Sequence, residues 1–210
     1  RSAANIVTDL AGLTGATASV SSTKVKIISN TTGGTIEFVT IAASAYATLG
    51  FVVGLATPSV RTATANVVYN GKMYIFGGYN AGFLNDLWEC DLTTFVWTQK
   101  TSGATPRTNY SAVVNNGKMY IFGGYSSGSP GRLNDLWECD LTTFVWTQKA
   151  SGSTPLRYLE TGVVYNGKLY IFGGALDGGG FINDLWECDL TTFAWTQKTS
   201  GATARAAHSA

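Results

Sequence analysis

The spacing of apolar positions divides the chain near residue 56. Before it, Ile6, Val7, Leu10 and Leu13 lie at helical spacing behind Ser2, with Gly15 as a terminator, and predict a short helix. Alternation then takes over: Thr17–Ser21 and Lys24–Ser29 predict a hairpin, the cluster from Asn30 to Gly34 a turn, and Thr35–Ile41 a third strand. Ser44–Leu49 predicts a second short helix closing at Gly50. The expectation for residues 1–56 is a small α+β module.

From residue 57 the pattern repeats. In Lys72–Gly77, Met73 and Ile75 point one way and Tyr74 and Phe76 the other, so this strand is apolar on both faces and must be covered on both. Asn70-Gly71, Asn116-Gly117 and Asn166-Gly167 are two-residue hairpin signals joining a first strand (Ala65–Tyr69 in the first copy) to this second one. A third strand is predicted over Asp86–Leu92 and a fourth over Phe95–Lys100, with Asp91-Leu92-Thr93-Thr94 turning between them. The block beginning at Asn85 returns at Asn134 and Asn183, a constant period of 49 residues. Four antiparallel strands repeated at that period predict propeller blades, at about 61–100, 107–149 and 157–198, with the start of a fourth at 199–210. The expected fold class is therefore mainly β: β-propeller blades, three repeats of an incomplete ring, preceded by the α+β module.

The doublets Gly77-Gly78, Gly123-Gly124 and Gly173-Gly174, the third-strand Trp88, Trp137 and Trp186, and the fourth-strand Trp97, Trp146 and Trp195 together resemble the kelch family. The likeness covers about 150 residues and implies a β-propeller without fixing a function. One departure is the third-strand tryptophan, where the family more often has tyrosine. The N-terminal segment, with Gly15–Val20, Lys24–Ser29, Thr31–Phe38 and Ala45–Phe51, resembles a small module of phage tail-sheath-like, tail-tube-associated and flagellar hook-associated proteins. Closed propellers need about four to eight blades, so the expectation is that the polypeptide continues beyond Ala210; the alternative is several chains sharing a ring.

Composition narrows the partners. Apolar residues make up 45% and aromatics 12%, enough for a sizeable core, and 14 basic against 13 acidic residues leave no footprint for nucleic acid. No apolar run reaches the length needed to span a bilayer, so no membrane insertion is expected. Cys90, Cys139 and Cys188 occupy one repeat position in successive blades, too far apart for a disulfide, and read as small buried residues folded in a reducing cytosol.

Catalytic chemistry finds little to use. Asp86, Glu89 and Asp91 recur in every copy, whereas an active site is a singular constellation; Asp86 and its copies are expected to cap turns or accept backbone bonds. His208 is the only histidine, and the two histidines and tyrosine–cysteine pairing of kelch-type copper oxidases cannot be assembled. Asp177 before three glycines is one carboxylate, too few for calcium. No catalytic, metal or cofactor site is therefore expected, although Arg107, Arg157, Tyr158 and Glu160 could in principle serve a sugar-acting enzyme.

The copies differ mainly in the loop after the second strand and in the segment leading into the first, and these share one rim. Loops on a rigid scaffold are where recognition resides. The candidate ligand-binding rim is Tyr79, Asn80, Phe83, Arg107, Tyr110, Tyr125, Arg132, Arg157, Tyr158, Asp177 and Phe181. The expected function is a non-enzymatic structural or binding protein of a virion (phage tail or fibre) or other surface assembly. Its partners would be other assembly subunits, itself included, and a glycan or host-surface protein. An intracellular kelch adaptor binding a peptide is the alternative, with a cytoplasmic rather than virion or extracellular location.

Overall fold

The computed structural model describes residues 16–21, 24–29, 39–40, 57–128, 131–150, 152–176 and 179–208. The chain divides into two compact units, Arg1–Leu55 and Ala56–Ala210. In the first, β1 (Ala16–Ser21) and β2 (Lys24–Ser29) form the expected hairpin, in register from Ala16↔Ser29 to Ser21↔Lys24. The strand expected over Thr35–Ile41 is described at β3 (Val39–Thr40), which pairs with the other edge of β2. Both expected helices lie outside the described residues.

The second unit is three four-stranded antiparallel sheets in simple meander order. They are β4 (Asn66–Tyr69), β5 (Lys72–Tyr79), β6 (Phe83–Asp91) and β7 (Trp97–Lys100); β8 (Ser111–Asn115), β9 (Lys118–Phe122), β10 (Leu136–Asp140) and β11 (Trp146–Ala150); and β12 (Thr161–Tyr165), β13 (Lys168–Phe172), β14 (Leu185–Asp189) and β15 (Trp195–Lys198). No ring is closed by these three blades, and β8 lies between β4 and β12 so that the first strands are neighbours. Each first hairpin turns on Asn-Gly with both residues at positive φ, 48° and 70° at Asn70 and Gly71.

The fourth strand starts two residues later than its apolar pattern suggests. Asp91 accepts the N–H groups of Thr93 and Thr94 at 2.9 Å, and Phe95 N–H donates to Asp91 O at 2.7 Å. The closed turn puts Phe95 at φ 58°, outside the β region, and its copies Phe144 and Phe193 do the same.

Packing between blades explains the double-sided strands. Val67, Tyr74, Phe76 and Leu87 of the first blade meet Met119, Ile121, Cys139 and Leu141 of the second. The opposite face of the second blade, Val113, Tyr120, Phe122 and Leu136, meets Leu169, Ile171, Cys188 and Leu190 of the third. Met119 to Phe122 are thus all buried, each large side chain contributing about 1.5–3 kcal/mol. On the outward faces Met73 and Ile75, and Tyr170 and Phe172, are only half-buried. Trp146 packs on Phe76 with centroids 4.8 Å apart, and Trp195 on Phe122 at 4.9 Å. The three cysteines are buried and unpaired; burial pushes the Cys139 and Cys188 thiols up to about 12.

The glycine doublet is the stitch between blades. Gly78 N–H donates to Arg107 O of the next blade at 2.9 Å, and Arg107 N–H returns to Leu84 O at 3.2 Å; Gly124–Arg157 and Gly174–Arg205 repeat the first bond. Gly77 and Gly78 sit at φ 56° and 97°, and a Cβ would come within 2.9 Å of the Arg107 and Thr62 carbonyls respectively.

Candidate recognition rim

The loops after the second strands and the segments leading into the first strands emerge at one end of the blades, and bridges between them fix their side chains. Tyr79 and Phe83 face each other across the Asn80-Ala81-Gly82 turn, where Asn80 N–H donates to Gly82 O at 3.0 Å. Tyr125 follows the second doublet as Tyr79 follows the first, and exchanges backbone bonds with Thr108. Tyr158 occupies the place of Thr108 in the third blade and bridges Ala175.

These placements bring four rings into a ladder across three blades. Centroids are 5.4 Å apart for Tyr79–Phe83, 5.8 Å for Phe83–Tyr125 and 5.9 Å for Tyr125–Tyr158. Arg132, bridged to Tyr125 through its backbone, sets its guanidinium 5.8 Å from the Tyr125 ring and 5.2 Å from that of Tyr158. Tyr79 and Tyr125 remain 44% and 37% exposed, so the ladder is open to a ligand. Phe181 lies in the third blade's loop, 61% exposed, and bridges Ala175. Asp177 lies outside the described residues.

Three expected rim residues are inside instead. Arg107 and Arg157 are fully buried, each holding an aspartate through both guanidinium nitrogens: Asp135 at 2.8 and 2.8 Å, Asp184 at 2.8 and 2.8 Å. Each also donates to the first doublet glycine of its own blade, Gly123 O or Gly173 O, at 3.0 Å. Arg61 does the same with Asp86 and Gly77. The tryptophan two residues on donates its indole N–H to the same aspartate, at 2.5–2.7 Å in the three copies. So Asp86 and its copies anchor an arginine and a tryptophan rather than capping turns. Burial alone would raise the Asp86 carboxyl; bonds from Arg61 and Trp88 outweigh it and hold the group below its usual range. Arg61, Arg107, Arg157 and Arg205 are one template position, disguised in the sequence by unequal loops.

Tyr110, the third, is buried where the second blade begins. Its hydroxyl donates to Phe76 O and lies 3.3 Å from Thr64 Oγ1. Burial is the main reason its phenol is pushed up to about 12. Thr64, Tyr110, Glu160 and His208 each stand three residues after a template arginine, so one position carries four different polar groups. Glu160 is buried over Gly123, its Oε1 accepting Ser111 N–H at 3.2 Å. His208 packs edge-on against Phe172 at 5.5 Å, and burial lowers its pKa. With Arg107, Arg157 and Glu160 buried, the set considered for sugar chemistry is not an open constellation.

A third repeated cluster is structural. Glu89 Oε1 takes Lys72 at 2.6 Å and Lys100 at 3.3 Å; Glu138 takes Lys118 and Lys149, and Glu187 takes Lys168 and Lys198. Each clamps the second and fourth strands to the third. Among the described residues, no group of three or more His, Cys, Asp or Glu is placed to hold a metal ion, and no helix is long and apolar enough to cross a membrane.

Blades of this construction, tied by arginine–aspartate locks and glycine stitches, define a β-propeller repeat protein. A family model described as the KLHDC2/KLHL20/DRC7 Kelch-repeats domain matches residues 101–210, and a Kelch-motif model matches residues 61–103. The chain belongs to the kelch-repeat family, whose propellers are in general protein-binding scaffolds. No curated protein matches the chain.

Proposed function

We propose that the chain is a non-enzymatic recognition protein of a surface assembly, a phage tail or fibre, whose ladder of Tyr79, Phe83, Tyr125 and Tyr158 meets a glycan or protein on the host surface. The observation that carries this is the ladder itself. Near-identical repeats would give each blade the same rim, yet Tyr158 stands alone where the other copies carry Thr62 and Thr108, and it completes a strip that crosses all three blades. Aromatic rings offer large, rigid contact area at small entropic cost. The ladder is open, whereas Arg107, Arg157 and Glu160, the groups weighed for sugar chemistry, are buried. Resemblance of the N-terminal segment to phage tail and hook-associated modules supports display on an assembly, and the near-zero net charge supports a neutral ligand surface.

The test is a binding screen of the labelled chain against cell-surface glycans and immobilised envelope proteins. Replacing Tyr79, Phe83, Tyr125 and Tyr158 together by alanine is expected to remove whatever binding the parent shows. Undiminished binding would displace the site from the ladder.

A further inference from the structure

Among the described residues of the blades, Glu160 is the one glutamate that no lysine or arginine side chain bonds directly; Glu89, Glu138 and Glu187 each hold two lysines. Its counterparts at the same repeat position are Thr64, Tyr110 and His208, none of them an acid. Its carboxyl is enclosed at the seam of the second and third blades. Oε1 accepts Ser111 N–H at 3.2 Å, Ser111 Oγ donates to Glu160 O at 3.1 Å, and a Cβ on Gly123 would fall 2.6 Å from Oε1. Oε2 is buried with no hydrogen-bond partner among the described residues. A few backbone bonds on one oxygen and a bare second oxygen compensate a buried carboxylate poorly and favour the neutral carboxylic acid.

The seam supports the ladder. Glu160 is two residues beyond Tyr158, and Gly123, which its carboxyl covers, is two before Tyr125, so the carboxyl lies two residues in from both ends of the rung that joins the second and third blades, the 5.9 Å Tyr125–Tyr158 contact. The charges acting on it are those of Arg157 and Arg107, each already paired with Asp184 or Asp135; of the titratable groups next along the seam, Tyr110 turns its hydroxyl to Phe76 O and His208 packs its ring on Phe172. We propose that Glu160 is a proton-controlled latch: protonated, it closes the seam under the ladder; ionised, it opens the seam and breaks the Tyr125–Tyr158 rung.

This rests on the ladder as the recognition site, but the latch can be read without any ligand. Burial is the main cause that pushes the Glu160 carboxyl up to about 8, against the partial opposition of its backbone bonds and the two arginines. For an acid raised on folding, stability is full below the unfolded carboxyl's pKa and declines as pH rises to the folded one. The unfolding constant should therefore rise about tenfold per pH unit between about 5 and 8, then level off. Glu160→Gln keeps the acceptor for Ser111 and cannot ionise, so this fall in stability should be missing from its profile.

The experiment is a carboxyl titration by NMR of the full chain labelled with 13C-glutamate, with urea unfolding of parent and Glu160→Gln across the same range. One glutamate titrating several units above the others, and a Tyr125–Tyr158 ring contact that fades above about pH 8 in the parent, are expected. Every glutamate titrating in the ordinary or lowered range would overturn the latch, even if Glu160→Gln does not fold. Superimposable stability profiles would overturn it as well. If ladder substitutions leave binding intact while the titration stands, the recognition site fails and the latch survives.

Discussion

At the scale of single residues, the repeats are held by positions that tolerate no other side chain. Gly124, at φ 95°, would place a Cβ 2.6 Å from Thr108 O, whereas Gly82 has nothing within 4 Å and an ordinary φ. Gly124→Ala is expected to cost about 1–3 kcal/mol and Gly82→Ala less than about 0.5 kcal/mol in urea unfolding. Equal effects would show that the doublet is not the stitch. Arg107→Ala strands the Asp135 carboxylate at the seam and is expected to cost about 3–5 kcal/mol by the same measurement. The glycines and aspartates were visible in the sequence as invariant marks, but their partners were not. Asp135 meets an arginine 28 positions earlier, and the loops that separate the two differ in length from copy to copy. That is why Arg107 and Arg157 read as variable rim residues and proved to be core.

At the scale of strands, the lysine–glutamate clamps set the acid limit. Bonding from Lys168 is the largest reason the Glu187 carboxyl is lowered to about 2, and Glu89 and Glu138 are lowered too, their lysines outweighing burial. A carboxyl lowered on folding stabilises above its unfolded pKa and ceases to do so as pH falls through the folded one. Urea midpoints should therefore drop steeply between about pH 4.5 and 2, and Glu187→Gln should flatten part of that fall. An unchanged acid limb in the variant would remove the clamp from the account. Strand number, order and hairpin positions were legible from Asn-Gly signals and alternation, because both act over a few residues. Misplacement of the fourth strand at Phe95 came from a turn that its apolar side chain conceals. The cross-blade clusters were legible only as a requirement that both faces of Lys72–Gly77 be covered.

At the scale of the whole molecule, two contiguous cores bind three blades, and the ladder runs over all of them. Tyr79, Phe83, Tyr125, Arg132 and Tyr158 were each singled out by differences among the copies, yet their convergence depends on bridges between loops that composition cannot reveal. The ladder stops where the third copy carries Ala175 in place of a tyrosine. The central claim is that recognition belongs to this strip. Its most direct test is binding of the labelled chain to surface glycans and envelope proteins, comparing the parent, the four-ring alanine variant and a Phe95→Ala control at the opposite end of the blades. With circular dichroism unchanged in all three, the account predicts binding lost in the ladder variant and retained in the control. Equal binding by parent and ladder variant would contradict it.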